Sequence, residues 1–99
     1  MAEDSTSVYH LDGDDLRMMH FCVSNQPRLK AVEVDAEARR VRFEKIDVTN
    51  LNAPTDGHVH KLELVHPGDD SLIVKFTFLG DGKESYEEIR LRRVGGAAP

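Results

Sequence analysis

Between residues 8 and 94 apolar and polar side chains alternate with period 2, and the breaks in that alternation carry Asp and Gly. Successive side chains of a β-strand point to opposite faces, so the pattern describes half-buried strands joined by turns. It leaves no helical period longer than a turn. A first strand, Val8-Tyr9-His10-Leu11, runs into Asp12-Gly13-Asp14-Asp15, and Asp-Gly is a strong short-range hairpin signal. The second spans Leu16 to Val23, with apolar residues on both faces, which predicts cover on both sides.

Asn25-Gln26-Pro27 interrupts the pattern, because Pro27 donates no ladder hydrogen bond and restricts the residue before it. In the third strand, Arg28 to Val34, the apolar positions switch parity between Leu29/Ala31 and Val32/Val34, as a β-bulge would make them. The fourth, Arg40 to Val48, places Val41 and Phe43 opposite Arg40, Arg42 and Glu44, then shifts at Ile46/Val48, which predicts a second bulge. Thr49 to Gly57 is too long for a tight hairpin and is placed as a cap over one end of the fold. The last strands are His58 to His66, Leu72 to Leu79 and Glu84 to Val94. Their inward set is Leu62/Leu64, Leu72/Val74/Phe76/Phe78 and Ile89/Leu91.

The sequence therefore predicts an all-β chain, an antiparallel meander of about seven strands curling toward a barrel. With 99 residues, 39% hydrophobic content and no Trp, there is apolar surface for one small domain only. We place it at residues 7–94, with disordered ends at 1–6 and 95–99. Seven strands are one short of the roughly eight that close a ligand-holding barrel. Two open edges follow; the charged Glu84–Arg93 strand is guarded against association and the apolar Val8–Leu11 strand is not. A homodimer is the expected consequence.

A net charge of -5 argues against nucleic acid as a partner. The single cysteine, Cys22, makes no internal disulfide, the acidic N-terminus is no export signal, and no apolar run approaches the roughly 20 residues of a membrane helix. A soluble, cytoplasmic protein is expected.

Nucleophile-elbow, phosphate-loop, Cys-x-x-Cys, His-Glu-x-x-His and dinucleotide motifs are all missing, which points away from an enzyme and calls for no cofactor. Asp12 to Asp15 lacks the spacing and closing Glu of a calcium loop and reads as an acidic turn. The most informative set is His20-x-Cys22 on the second strand and His58-x-His60 on the fifth. Spacing of two puts each pair on one strand face, together with Met18, Leu62 and Leu64. Converging inside a barrel, three imidazoles and a thiolate would suit zinc or another borderline metal. Alternatively they line a pocket, where apolar walls supply affinity and a few polar groups set orientation. Asn25 and Arg28 could serve at its mouth, Arg28 as an anion anchor, although Asn25-Gln26 also suits a plain turn. Thiol catalysis by Cys22 and His20 is disfavoured, because residues two apart on a strand lie about 7 Å apart and no orienting acid is evident.

The stretch from Val8 through Asp12-Gly13-Asp14-Asp15 to His20-Phe21-Cys22, followed by Asn25-Gln26-Pro27-Arg28, resembles a group of uncharacterised bacterial proteins with a lipocalin-like, calycin-type β-barrel. Thr49-Asn50-Leu51 through Gly57-His58-Val59-His60, and the hairpin Asp81-Gly82-Lys83-Glu84, are similar to the same group's later motifs. The resemblance covers residues 7 to 94 and implies a fold and an internal cavity, with His20, Cys22, His58 and His60 as pocket residues. Group members carry a Gly-x-Trp-type opening strand and further strands ahead of the Val8 position. Without them, this resemblance implies either a smaller or half-open barrel, or two chains that pair. The leading expectation is thus a non-enzymatic lipocalin-like domain, working as a homodimer. It would bind a small, largely apolar ligand through His20, Cys22, Asn25, Arg28, His58 and His60. The alternatives are a metal protein or metalloenzyme built on His20, Cys22, His58 and His60, and an assembly subunit with no small ligand.

Overall fold

A computed structural model of the chain describes residues 6–21, 25–53 and 55–94, which leaves Cys22 and the expected disordered segments, except Thr6, outside the described residues. Seven strands form one sheet: β1 (Thr6–Asp12), β2 (Asp15–Phe21), β3 (Gln26–Asp35), β4 (Arg40–Thr49), β5 (His58–Gly68), β6 (Ser71–Gly80) and β7 (Lys83–Arg92). The order is β1-β2-β3-β4-β5-β6-β7 with every neighbouring pair antiparallel. It is a meander that stops short of a closed barrel, with β1 and β7 at its two edges. Among the described residues no helix is long and apolar enough to cross a membrane.

The turns follow local chemistry. Gly13 takes φ +64° at the first position of the two-residue loop between Asp12 and Asp15, where a type II′ hairpin requires glycine. Asp81 (φ 52°) and Gly82 (φ 72°) are both left-handed, which is the type I′ pattern joining β6 to β7.

Register confirms the two expected bulges. The β3–β4 pairing shifts between Ala31 and Glu33, leaving Val32 extra, and again between Arg28↔Asp47 and Leu29↔Lys45, leaving Ile46 extra. Both extra residues are exposed, whereas Leu29 and Phe43 beside them are buried. A third shift falls in β5 between Val59 and Lys61. It turns Val59 into the core opposite Phe78 and makes His60 the unpaired residue.

Seven register pairs hold β1 to β2, but only Arg17↔Lys30, Met18↔Leu29 and Met19↔Arg28 hold β2 to β3. The sheet bends at that narrow join and folds the β1–β2 hairpin over the inner face of β4–β6. Tyr9 thereby brings its ring 5.9 Å from Phe43, and His20 lies 5.5 Å from the Phe76 ring. Met18, Leu29, Phe43, Val59, Leu62 and Val74 form the buried core between the two layers. The outer face of β2 is not covered as expected: Phe21 remains exposed.

One end of the sheet is closed by residues 50–53 and 55–57. Asp56 accepts from the Asn52 and Ala53 amides, Asp81 N–H donates to the Thr55 carbonyl at 3.0 Å, and Asn25 Nδ2 donates to the Gly57 carbonyl at 3.0 Å. Gly80 sits so close to this segment that a Cβ there would lie 3.2 Å from Gly57 Cα. The predicted cap thus ties together the loops after β2, β4 and β6.

Candidate functional site

Of the residues singled out by sequence, His20, Asn25, His58 and His60 lie at the capped end, and each is engaged by a different part of the chain. His20 is buried on β2; its Nδ1 is hydrogen-bonded to Ser7 Oγ at 2.8 Å and its ring rests against Phe76. Asn25 is buried and donates to the cap. The tautomer of buried His58 is fixed by its neighbours: Nδ1 donates to the Asp56 carbonyl and Nε2 accepts from Lys45 Nζ, each at 3.0 Å. His60, displaced by the β5 bulge, is half-buried with Nε2 4.0 Å from Glu84 Oε2. Its Nδ1 is buried with no hydrogen-bond partner among the described residues.

The shared inward face expected for His58 and His60 is therefore broken by the bulge. Among the described residues no three His, Cys, Asp or Glu come together in a way that could hold a metal ion. Arg28 stands on the outer face, exposed, with its guanidinium forked onto the Asp47 carboxylate. That pairing raises the Arg28 pKa and holds the Asp47 carboxyl below its ordinary value. Its Nε and Nη2 donors are committed to Asp47, on the face away from the core.

Hollows among the described residues lie elsewhere. A groove of about 570 Å³ runs over the outer face of β4–β7, where Arg42, Glu63, Lys75 and Glu88 follow one another across the strands. Arg42 is paired with Glu33 at 3.3 Å and Lys75 with Glu63 at 3.8 Å. That face is a ladder of mutually compensated charges.

The second hollow, about 360 Å³, opens at the end of the sheet opposite the cap. Leu72 and Leu91, register partners on the core-facing side of β6 and β7, form its apolar floor. His66, Arg92 and Arg93 stand at its rim beside Asp69 and Asp70. Arg93 is held by Asp70, through its side chain at 3.3 Å and its backbone N–H at 2.7 Å from the Asp70 carbonyl. Sequence reasoning placed Leu72 and Leu91 inward but did not single them out as a site. The available signal was their alternation running on into β7, beyond any strand able to cover it.

Burial pushes the His20 imidazole below its ordinary value, and burial reinforced by Lys45 and Lys61 does the same for His60. A histidine held neutral in the fold binds fewer protons than its unfolded counterpart. Its contribution is complete above the free-imidazole value of about 6.5 and is lost as pH falls through that value toward the lower folded one. Melting temperature should thus drop between about pH 7.5 and pH 5.5, and drop less in His20→Gln. Parallel curves for the two proteins would remove His20 from this balance.

Comparison of the chain with protein-family models, with curated proteins and with solved structures returned no match.

Proposed function

We propose that this chain is a non-enzymatic half-barrel that works as a pair and holds a small, largely apolar ligand on its inner face. The observation that carries the reading is the uncovered end of the inward row. All ten residues of β7 are exposed, and Ile89 and Leu91, 39% and 50% exposed, continue the face of Leu72, Val74 and Phe76 beyond the reach of the β1–β2 hairpin. Single exposed apolar residues are ordinary, but a row aligned with the core and floored into a hollow suits a ligand or a partner. The interior under the hairpin is already filled by Met18, Leu29, Phe43 and Leu62. Space for a ligand lies instead over Leu72 and Leu91, where the Arg92 guanidinium at the rim favours an amphipathic molecule with an anionic end.

Titration with an anionic naphthalene-sulfonate dye tests the site. Saturable binding is expected, weakened about tenfold or more by Leu91→Asp, because burying a leucine-sized apolar contact contributes roughly 1.5–3 kcal/mol. Leu91 is half exposed, so this variant should keep the fold. Equal binding by both proteins would contradict the site.

A further inference from the structure

We infer that the pair is formed by β7 meeting β7 of a second copy, antiparallel, with the two-fold axis passing through Ile89. This rests on the pairing proposed above and assigns its edge and register. β7 ends the strand order and exposes all ten of its residues, so one side of its backbone has no neighbouring strand. Edge strands extend readily by adding another strand.

Symmetry limits the registers. A two-fold perpendicular to the sheet returns each face to itself, so the residue on the axis must face its own copy. With Glu87 or Glu88 on the axis, two carboxylates meet, and with Arg90 on it, two guanidinium groups meet. Tyr86 on the axis sets Glu84 opposite Glu88 twice, and Leu91 sets Arg90 opposite Arg92 twice. Directly opposed like charges are destabilising.

Ile89 on the axis avoids all of these. Glu88 then faces Arg90 of the second copy on both sides of the axis, Glu87 faces Leu91, and Tyr86 faces Arg92, where a guanidinium can stack on the ring. Glu88 and Arg90 already bond along the strand at 2.7 Å, so pairing converts two ion pairs into a ring of four charges. The two Ile89 side chains meet on the core-facing side, continuing the apolar row across the axis. The charges that guard β7 against other strands are complementary to their own reversed order, so the pairing is assigned to β7 and not to the apolar β1 edge that the sequence pattern favoured.

Sedimentation equilibrium on the wild type, Glu88→Arg, Arg90→Glu and the double variant tests the register. The wild type should dimerise, each single reversal should weaken association about tenfold, and the double variant should restore it, because the opposed pairs are then again of opposite sign. In a Cys22→Ser background, Ile89→Cys should oxidise to a covalent dimer readily and Leu91→Cys should not. A wild-type dimer indifferent to both reversals, or cross-linked as well through Leu91→Cys, overturns the register while leaving a pair. A wild type monomeric throughout overturns the pair itself.

Discussion

Replacing Phe43 with alanine is expected to cost about 3–5 kcal/mol of folding stability, the usual range for truncating a buried aromatic residue. Phe43 is 1% exposed at the middle of β4, its backbone registered between Ala31 of β3 and Leu62 of β5. Its ring receives Tyr9 from the folded-over hairpin at 5.9 Å. Removing it opens a cavity where the two layers touch, and the narrow three-pair join between β2 and β3 gives the hairpin little else to hold it in place. Domains of this class hold roughly 5–15 kcal/mol in total. The variant should therefore show a much lower urea midpoint at an unchanged slope. Leu91→Ala in the same assay, at protein concentrations too low for association, should lose under about 1 kcal/mol, since that side chain is half exposed. Comparable losses for the two would mean that the core has been misplaced.

A second large effect is expected at Asn25, which is 2% exposed and donates to the Gly57 carbonyl. Alanine there loses a hydrogen bond and leaves a small void, about 1–3 kcal/mol together. The damage should be local to the cap: amide exchange at Asp81, whose N–H is bonded to Thr55, should quicken more than exchange in β4. Asn25→Asp is nearly isosteric but sets a carboxylate against a carbonyl oxygen in a buried position, so at neutral pH it should be the worse variant. Burial raises the folded pKa of such a group, so its penalty should shrink as pH falls and the proton restores a donor. If Asn25→Asp and Asn25→Ala behave alike across pH, Asn25 does not act through this hydrogen bond.

Much of the architecture was legible because β-structure writes its register into residue parity. Val32 and Ile46 stand out as bulges because apolar residues fall on the wrong parity around them. The β5 bulge was silent, since the run His58-Val59-His60-Lys61-Leu62 reads acceptably in either register when histidine suits both faces. That silence is why His58 and His60 were placed together. The pairing of Arg28 was hidden for a related reason: its partner Asp47 is 19 residues away and opposes it only through the register the Ile46 bulge creates. The filled interior was equally hidden. It depends on how far the β1–β2 hairpin folds over β4–β6, a consequence of the short β2–β3 join rather than of any residue pattern.

The central claim is that an open half-barrel operates as a pair. Light scattering coupled to size-exclusion chromatography, repeated over a dilution series, tests it most directly. The account predicts a mass of twice the 11.1 kDa of one chain, falling to the single-chain mass on dilution. A mass of 11.1 kDa at every concentration would contradict it.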